Sequence, residues 1–201
     1  MNRESYDAIA NQWDAVRIRL SEAERRILLC LTEFVAPGEQ ILDLGCGTGR
    51  PIAEHFIGLG LRVTGVDQSA SMLELARGRL PEQTWVLSAL EEFQPEGRYG
   101  AAIAWDSLFH IPRMHHANIW RRVRAVLPAG GRFALTLGGM DDHPAFTDSM
   151  FDRTFFYDSH GPETALSLLG EAGFSIVSHE FLNVPTDGRD KGRVAIVASA
   201  V

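Results

Sequence analysis

The sequence is short of several things that would place it at once. It has only two cysteines, too few for a disulfide framework. Cys30 falls on the apolar face of a helix and Cys46 inside a glycine turn, so both read as free thiols. No apolar run approaches the roughly 18 residues a membrane-spanning helix needs, and no signal peptide opens the chain; the expectation is a cytoplasmic protein without a membrane partner. Basic charge is in deficit, with 19 Lys and Arg against 26 Asp and Glu and a net charge of −7. Phosphate recognition wants a basic face, so a nucleic-acid partner is not expected. The one arginine cluster, Arg113, Arg121, Arg122 and Arg124, reads as a solvated helix face. His115, His116, His143 and His160 are spaced irregularly, with no Cys or carboxylate at ligand spacing beside them, and no metal site is expected. Repeats and low-complexity tracts are absent. The 201 residues, 45% hydrophobic and 22% charged, suit one globular domain with a sizeable core.

What is present is organised around residues 41–49, Ile-Leu-Asp-Leu-Gly-Cys-Gly-Thr-Gly. An apolar run that reads as a buried strand breaks into glycine at every second position. Gly45, Gly47 and Gly49 let the backbone turn sharply and approach a ligand with no side chain between. Pro51 stands where a helix would start, its missing N–H costing nothing there. Strand, glycine turn and helix form the first unit of a doubly wound sheet, and ligands bind beyond the carboxyl ends of such strands. A second apolar run, 61–66, ends at Asp67, 22 residues after Gly45. A carboxylate at that distance suits a ribose diol. Two details speak against a nicotinamide dinucleotide. Arg50 is bulky where that pattern wants Gly or Ala, and Asp43 would repel a pyrophosphate. A ligand with an ammonium fits better.

Asp43-Leu-Gly-Cys-Gly-Thr-Gly49 followed by Val63-Thr-Gly-Val-Asp67 resembles the class I S-adenosylmethionine-dependent methyltransferases. The resemblance continues through Asp67-Gln-Ser-Ala-Ser-Met-Leu73, Trp105-Asp-Ser-Leu-Phe-His-Ile-Pro112 and Leu127-Pro-Ala-Gly-Gly-Arg132, with a looser echo in Tyr6-Asp-Ala-Ile-Ala-Asn-Gln-Trp13. It implies S-adenosylmethionine as cofactor and an α/β fold: a doubly wound, mostly parallel seven-stranded sheet, order 3-2-1-4-5-7-6, last strand antiparallel. The cofactor residues it implies are Asp43, Gly45, Cys46, Gly47, Gly49, Arg50, Asp67, Gln68 and Met72, then Ala89 and Leu90 after the third strand. Ala104, Trp105 and Asp106 follow the fourth strand, and Tyr6 and Trp13 belong to an N-terminal lid. Ser88 and Ala89 replace the glycine-acid pair usual in similar proteins, so the acidic adenine contact is missing. Asp106 reads equally as a charge partner for the cofactor or as a helix N-cap. Glu91 and Glu92 read as a solvated helix turn.

A sulfonium methyl is already electrophilic, so positioning outweighs acid–base chemistry. His110 is the best-placed candidate for a general base. The chain reads as a single domain, 1–201, with a helical cap over 1–36 and a substrate-side insertion at 138–160. That insertion is expected to be irregular, and Phe151, Phe155, Phe156 and Tyr157 in it are expected to wall the acceptor pocket. Residues 174–181 and 194–201 read as an antiparallel hairpin at the sheet edge, joined by a polar turn around 185–192. The expected activity is methyl transfer to the oxygen or nitrogen of a small molecule, by a monomer or a homodimer. The absence of an Asn-Pro-Pro-Tyr-like motif after the fourth strand lowers the odds of glutamine or adenine N-methylation. Two rivals stay open: a cofactor-binding protein without catalysis, and a nicotinamide-dependent oxidoreductase.

Overall fold

A computed structural model describes residues 2–186 and 190–201. Seven strands form one sheet in the order β3-β2-β1-β4-β5-β9-β8. Its parallel part is β1 (Gln40–Leu44), β2 (Arg62–Asp67), β3 (Thr84–Leu87), β4 (Ala101–Ala104) and β5 (Arg132–Gly138). The edge pair is β8 (Phe174–Asn183) and β9 (Arg193–Ala200), with β9 antiparallel to both of its neighbours. This is the expected order, the last two sheet strands taking higher labels because a separate hairpin precedes them.

Period-two alternation sorts the strand residues onto two helical layers. Leu42, Leu44, Ala102, Phe133, Leu135 and Ile196 pack on the side of α5 (His116–Val126) and α6 (Pro162–Glu171). Ile41, Val63, Ala101, Ile103 and Val197 pack on the side of α2 (Glu22–Thr32), α3 (Ile52–Gly58) and α4 (Ala70–Arg79). Buried on both faces, β4 can be made almost wholly of alanine and isoleucine. Two helix starts follow from their sequences. Ser21 and Glu24 form a reciprocal capping box on α2, and Ser69 Oγ accepts from the Met72 N–H at the head of α4. Pro51 sits one residue ahead of α3. No helix among the described residues is long and apolar enough to cross a membrane.

Three expectations are corrected. The stretch 138–160 is not irregular: β6 (Phe146–Met150) and β7 (Arg153–Tyr157) pair as a hairpin. Its two-residue turn has Phe151 at φ 49° and Asp152 at φ 57°. Such turns need left-handed backbone at both positions and are ordinarily announced by Asn-Gly or Asp-Gly, which this sequence does not offer. The arginine cluster is a solvated face only at Arg121, which is exposed. Arg122 donates to the Glu91 and Phe93 carbonyls, Arg124 to those of Gly173 and Val201, and Arg113 pairs with Asp158. The turn after β3 is no helix: residues 90–92 form a turn in which Glu92 is exposed and Glu91 half-buried. The expected turn around 185–192 is described only at its ends, since 187–189 lie outside the described residues.

Candidate active site

The carboxyl ends of β1, β2 and β4 converge on one pocket. The Gly45 and Cys46 N–H groups both donate to the Val66 carbonyl, at 2.7 and 3.1 Å, which staples the glycine turn to β2. Gly45 sits at φ +80°, and a Cβ there would lie 2.2 Å from Ser107 Cβ. Ser107 in turn donates to the Leu44 carbonyl at 2.8 Å. The first glycine is thus required twice, by backbone conformation and by the chain crossing over it. Gly65, inside β2, makes room for the Trp85 ring and Cys46 Sγ in the same way.

Two of the carboxylates on this pocket's wall sit at strand ends, Asp43 in β1 and Asp67 in β2. Asp67 accepts from the Gly47 N–H through Oδ2 and from the Ser69 N–H through Oδ1, both at 2.9 Å. Each oxygen keeps a lone pair for a further donor, as a diol would supply. Burial raises its pKa despite those bonds. Asp43 is 2% exposed and has no hydrogen bond or ion pair to any described residue. Burial, helped by the charge of Asp67, pushes its pKa up to about 7. A buried carboxylate left without a protein partner is a seat for a cation or a donor brought by a ligand.

The helix α1 (Arg3–Val16) closes one side. Asp7 accepts from Ser69 Oγ (2.6 Å) and the Ser71 N–H (3.1 Å), and Asp14 accepts from Arg79 Nη2 at 2.7 Å. These ties hold Tyr6 and Trp13 edge-to-face, 6.4 Å apart, on the pocket wall. His110 stands behind Tyr6. Its Nε2 lies 2.8 Å from the Tyr6 hydroxyl and its Nδ1 3.0 Å from the Phe156 carbonyl. Nδ1 also lies 2.8 Å from the Asn2 amide nitrogen, a donor, while the carbonyl is an acceptor, so each tautomer of His110 satisfies one of the two contacts. The Asn2 amide also donates to the Phe156 carbonyl (2.9 Å) and accepts from its N–H (2.8 Å). Burial lowers the His110 pKa to about 4 and raises that of Tyr6.

Of the residues expected around a cofactor, the pocket wall holds Tyr6, Trp13, Asp43, Gly45, Cys46, Gly47, Arg50, Asp67, Gln68, Met72, Leu90, Trp105 and Asp106, with His110 among them. Gly49, Ala89 and Ala104 are not on it. Gly49 packs toward Leu80 and Trp85, and Ala104 is wholly buried in β4. Asp106 caps nothing: the N-cap of the following 3-10 turn is Ser107. Instead Asp106 sits at φ 50°, donates its N–H to Thr136 Oγ1 (2.6 Å) and pairs with Arg193 Nη1 at 2.6 Å. Sequence reasoning missed Arg17, Ile52, Glu91, Ser107 and Ile111 on the wall. Ser107 alone had a signal, as part of the Trp105-Asp-Ser run. Among the described residues no three His, Cys, Asp or Glu side chains converge on a metal position.

Beyond the Asp106 rim lie two further clefts. One, of about 420 Å³, runs between the β6–β7 hairpin and residues 190–193, with Phe109, Phe146 and Tyr157 on one wall. The other lies between Trp13, Arg17, Arg19 and Leu182. The four aromatics expected to wall an acceptor pocket divide. Tyr157 lines the first cleft, stacked on Phe146 at 5.2 Å. Phe155, on the same face of β7 but nearer α1, is wholly buried against Tyr6 at 4.8 Å. Phe156 contributes its backbone to Asn2 and His110, and Phe151 sits at the hairpin tip, 37% exposed.

Residues 41–131 match the family described as methyltransferase domain. The 27-O-demethylrifamycin SV methyltransferase of Amycolatopsis mediterranei (strain S699) is 30% identical over 132 residues, 61% of this chain and 48% of that protein. The trans-aconitate 2-methyltransferase of Escherichia coli O1:K1 / APEC is 39% identical over 100 residues, 49% of this chain and 39% of that protein. The chain therefore spans about half or less of the length of these curated relatives. Among solved structures, the 1,6-didemethyltoxoflavin-N1-methyltransferase of Burkholderia thailandensis superposes with a TM-score of 0.72 at 21% identity, covering 99% of this chain and 87% of that one. Magnesium protoporphyrin IX methyltransferase from Synechocystis PCC 6803 superposes at 0.71 and 17% identity, covering 99% and 97%. These likenesses establish the fold.

Proposed function

We propose that this chain, which belongs to the class I S-adenosylmethionine-dependent methyltransferase family, moves a methyl group from S-adenosylmethionine to an oxygen or nitrogen of a small molecule. The observation that carries the reading is the pair of carboxylates at one sheet edge. Asp67 is pinned by backbone N–H groups beside the glycine turn, where it suits a ribose diol. Asp43 is buried and without a protein partner, where it suits an ammonium. Leu90 and Met72 offer the apolar walls an adenine ring needs. The bound cofactor would supply a methyl on a positively charged sulfur, already activated for displacement. The chain's part is alignment and exclusion of water, with α1 as the lid and the β6–β7 hairpin as the acceptor-side insertion.

In this reading His110 is a positioning residue. With a pKa near 4 and both ring nitrogens engaged, it makes a poor base at neutral pH. Its hydrogen bond to the Tyr6 hydroxyl holds that ring in place on the pocket wall. The acidic chain favours a small acceptor over a nucleic acid, as do the acceptors named for the relatives, trans-aconitate and didemethyltoxoflavin among them. Calorimetry with S-adenosylmethionine, S-adenosylhomocysteine and NAD is the first test. Tight binding of the first two and none of NAD is expected, and the reverse ends the proposal. A methyl-acceptor screen with product detection then separates an enzyme from a binding protein.

A further inference from the structure

We propose that Arg193 recognises the acceptor, and that the acceptor is a small, flat molecule carrying a carboxylate. The inference rests on the methyl-donor reading above and adds the substrate class to it. Arg193 opens β9 opposite Gly138, the last residue of β5. Because β9 runs antiparallel, its first residue lies at the same sheet edge where the parallel strands end and the pocket opens. From there its side chain reaches Asp106 on the rim of the donor pocket, at 2.6 Å. Among the described residues, Arg193 is the only one that lines both acceptor-side clefts. Whichever way an acceptor approaches the rim, it passes this guanidinium.

The guanidinium is only partly used. Its Nη1 serves Asp106 and its Nε lies 3.2 Å from Asn183 Oδ1, while Nη2 has no partner among the described residues. Its side chain is 41% exposed. Nη2 still has two N–H groups to offer a carboxylate seated beside Asp106. The cleft wall carries three acids, Asp148, Asp158 and Asp190, and each is engaged, Asp148 by the Ser149 N–H. Asp158 accepts from Arg113, and Asp190 from Asn183 and the Gly192 N–H. Lys191, the only lysine in the sequence, lines the same cleft and adds a second positive charge. The opposite wall dictates the shape. The Tyr157 ring is stacked on Phe146 at an 11° interplanar angle and on Phe109 at 25°. The stack makes an aromatic wall, and a flat, conjugated group can pack against its edges and outer faces.

The test uses benzoate and benzamide, alike in shape and different in charge. Binding to the full chain saturated with S-adenosylhomocysteine is followed by ligand-observed NMR, for the wild type, Arg193→Gln and Arg193→Lys. Benzoate is expected to bind about tenfold more tightly than benzamide, as a partly exposed charge pair allows. Arg193→Gln should erase that preference while leaving benzamide within about twofold, and Arg193→Lys should restore part of it. Equal binding of the two probes, no binding of benzoate, or a preference that survives Arg193→Gln overturns the proposal. Phenylphosphonate binding more tightly than benzoate overturns the carboxylate class. A wild type that does not bind S-adenosylhomocysteine fails the donor reading, and the proposal falls with it. One that binds it without preferring benzoate sinks this proposal alone.

Discussion

The two sides of the Asp106 rim are built differently. On the side proposed for the donor the floor is backbone, a glycine turn stapled to Val66 with two carboxylates at the ends of β1 and β2, and α1 closes over it. On the side proposed for the acceptor the walls are side chains from distant segments, a hairpin and the first residues of β9. A backbone-built site tolerates almost no change in its geometry but can serve one ligand in many proteins. A side-chain-built site can be rewritten residue by residue without disturbing the sheet. The contrast yields four predictions.

The largest effect belongs to the glycine turn. Gly45→Ala forces an L residue to φ +80° and drives its Cβ to 2.2 Å from Ser107 Cβ. The two penalties together should cost about 3 kcal/mol or more of stability and remove cofactor binding. Gly170→Ala is the control: it lies within α6 with nothing inside 4 Å of a built Cβ, and should be neutral or stabilise by up to about 1 kcal/mol. Urea unfolding of both variants checks the pair. If Gly45→Ala is as stable as the wild type, the donor side is not rigid in the way claimed.

The same contrast explains what could be read in advance. Strand order, the capping residues Ser21 and Ser69 and the turn at 45–49 follow from local pattern, because a buried parallel strand and a tight turn each restrict which residues can stand there. Asp43 and Asp67 were legible since their places are fixed by strand ends. The hairpin at 146–157 was not, because Phe151 and Asp152 take left-handed backbone that no local residue announces. Nor was the division of its aromatics legible. Phe155 and Tyr157 point the same way from β7, and only the packing of α1 buries one and leaves the other lining a cleft. The Asp106–Arg193 pair joins residues 87 positions apart, and no spacing rule anticipates it.

The second prediction concerns ribose recognition. Asp67→Ala should weaken S-adenosylhomocysteine binding by about 1.5–3 kcal/mol, since it removes charged hydrogen bonds from a partly dry site. Asp67→Asn should do less harm, as one acceptor oxygen remains. Calorimetry giving wild-type affinity for Asp67→Ala would remove the ribose assignment.

The third is a proton count. With its pKa near 7, Asp43 is about half protonated at neutral pH. An ammonium placed beside it favours the ionised form, so binding should expel the proton. Affinity then rises with pH between about 6 and 8, by at most about 0.7 kcal/mol per unit at pH 7 for half a proton released. Calorimetry with S-adenosylhomocysteine in two buffers of different ionisation enthalpy measures the release directly. Asp43→Asn should abolish it; a release that persists would assign the proton to another group.

The smallest effect on cofactor affinity is expected across the rim, at Tyr157. Its ring lines the cleft between the hairpin and β9, stacks on Phe109 and Phe146, and packs behind His110 at 4.6 Å without itself lining the donor pocket. Tyr157→Ala should therefore leave S-adenosylhomocysteine affinity within about 1 kcal/mol, while lowering turnover or widening the range of acceptors used. Phe151→Ala, at the exposed hairpin tip, should change neither. The reasoning is that removing a stacking face costs the acceptor its alignment, and alignment is most of what a sulfonium methyl still lacks. Tyr157→Phe separates the ring from its hydroxyl: a variant that keeps wild-type turnover assigns the role to the flat face. If Tyr157→Ala instead weakens the cofactor as much as Asp67→Ala does, the two sides of the rim are energetically one site, and the contrast between backbone-built and side-chain-built halves fails.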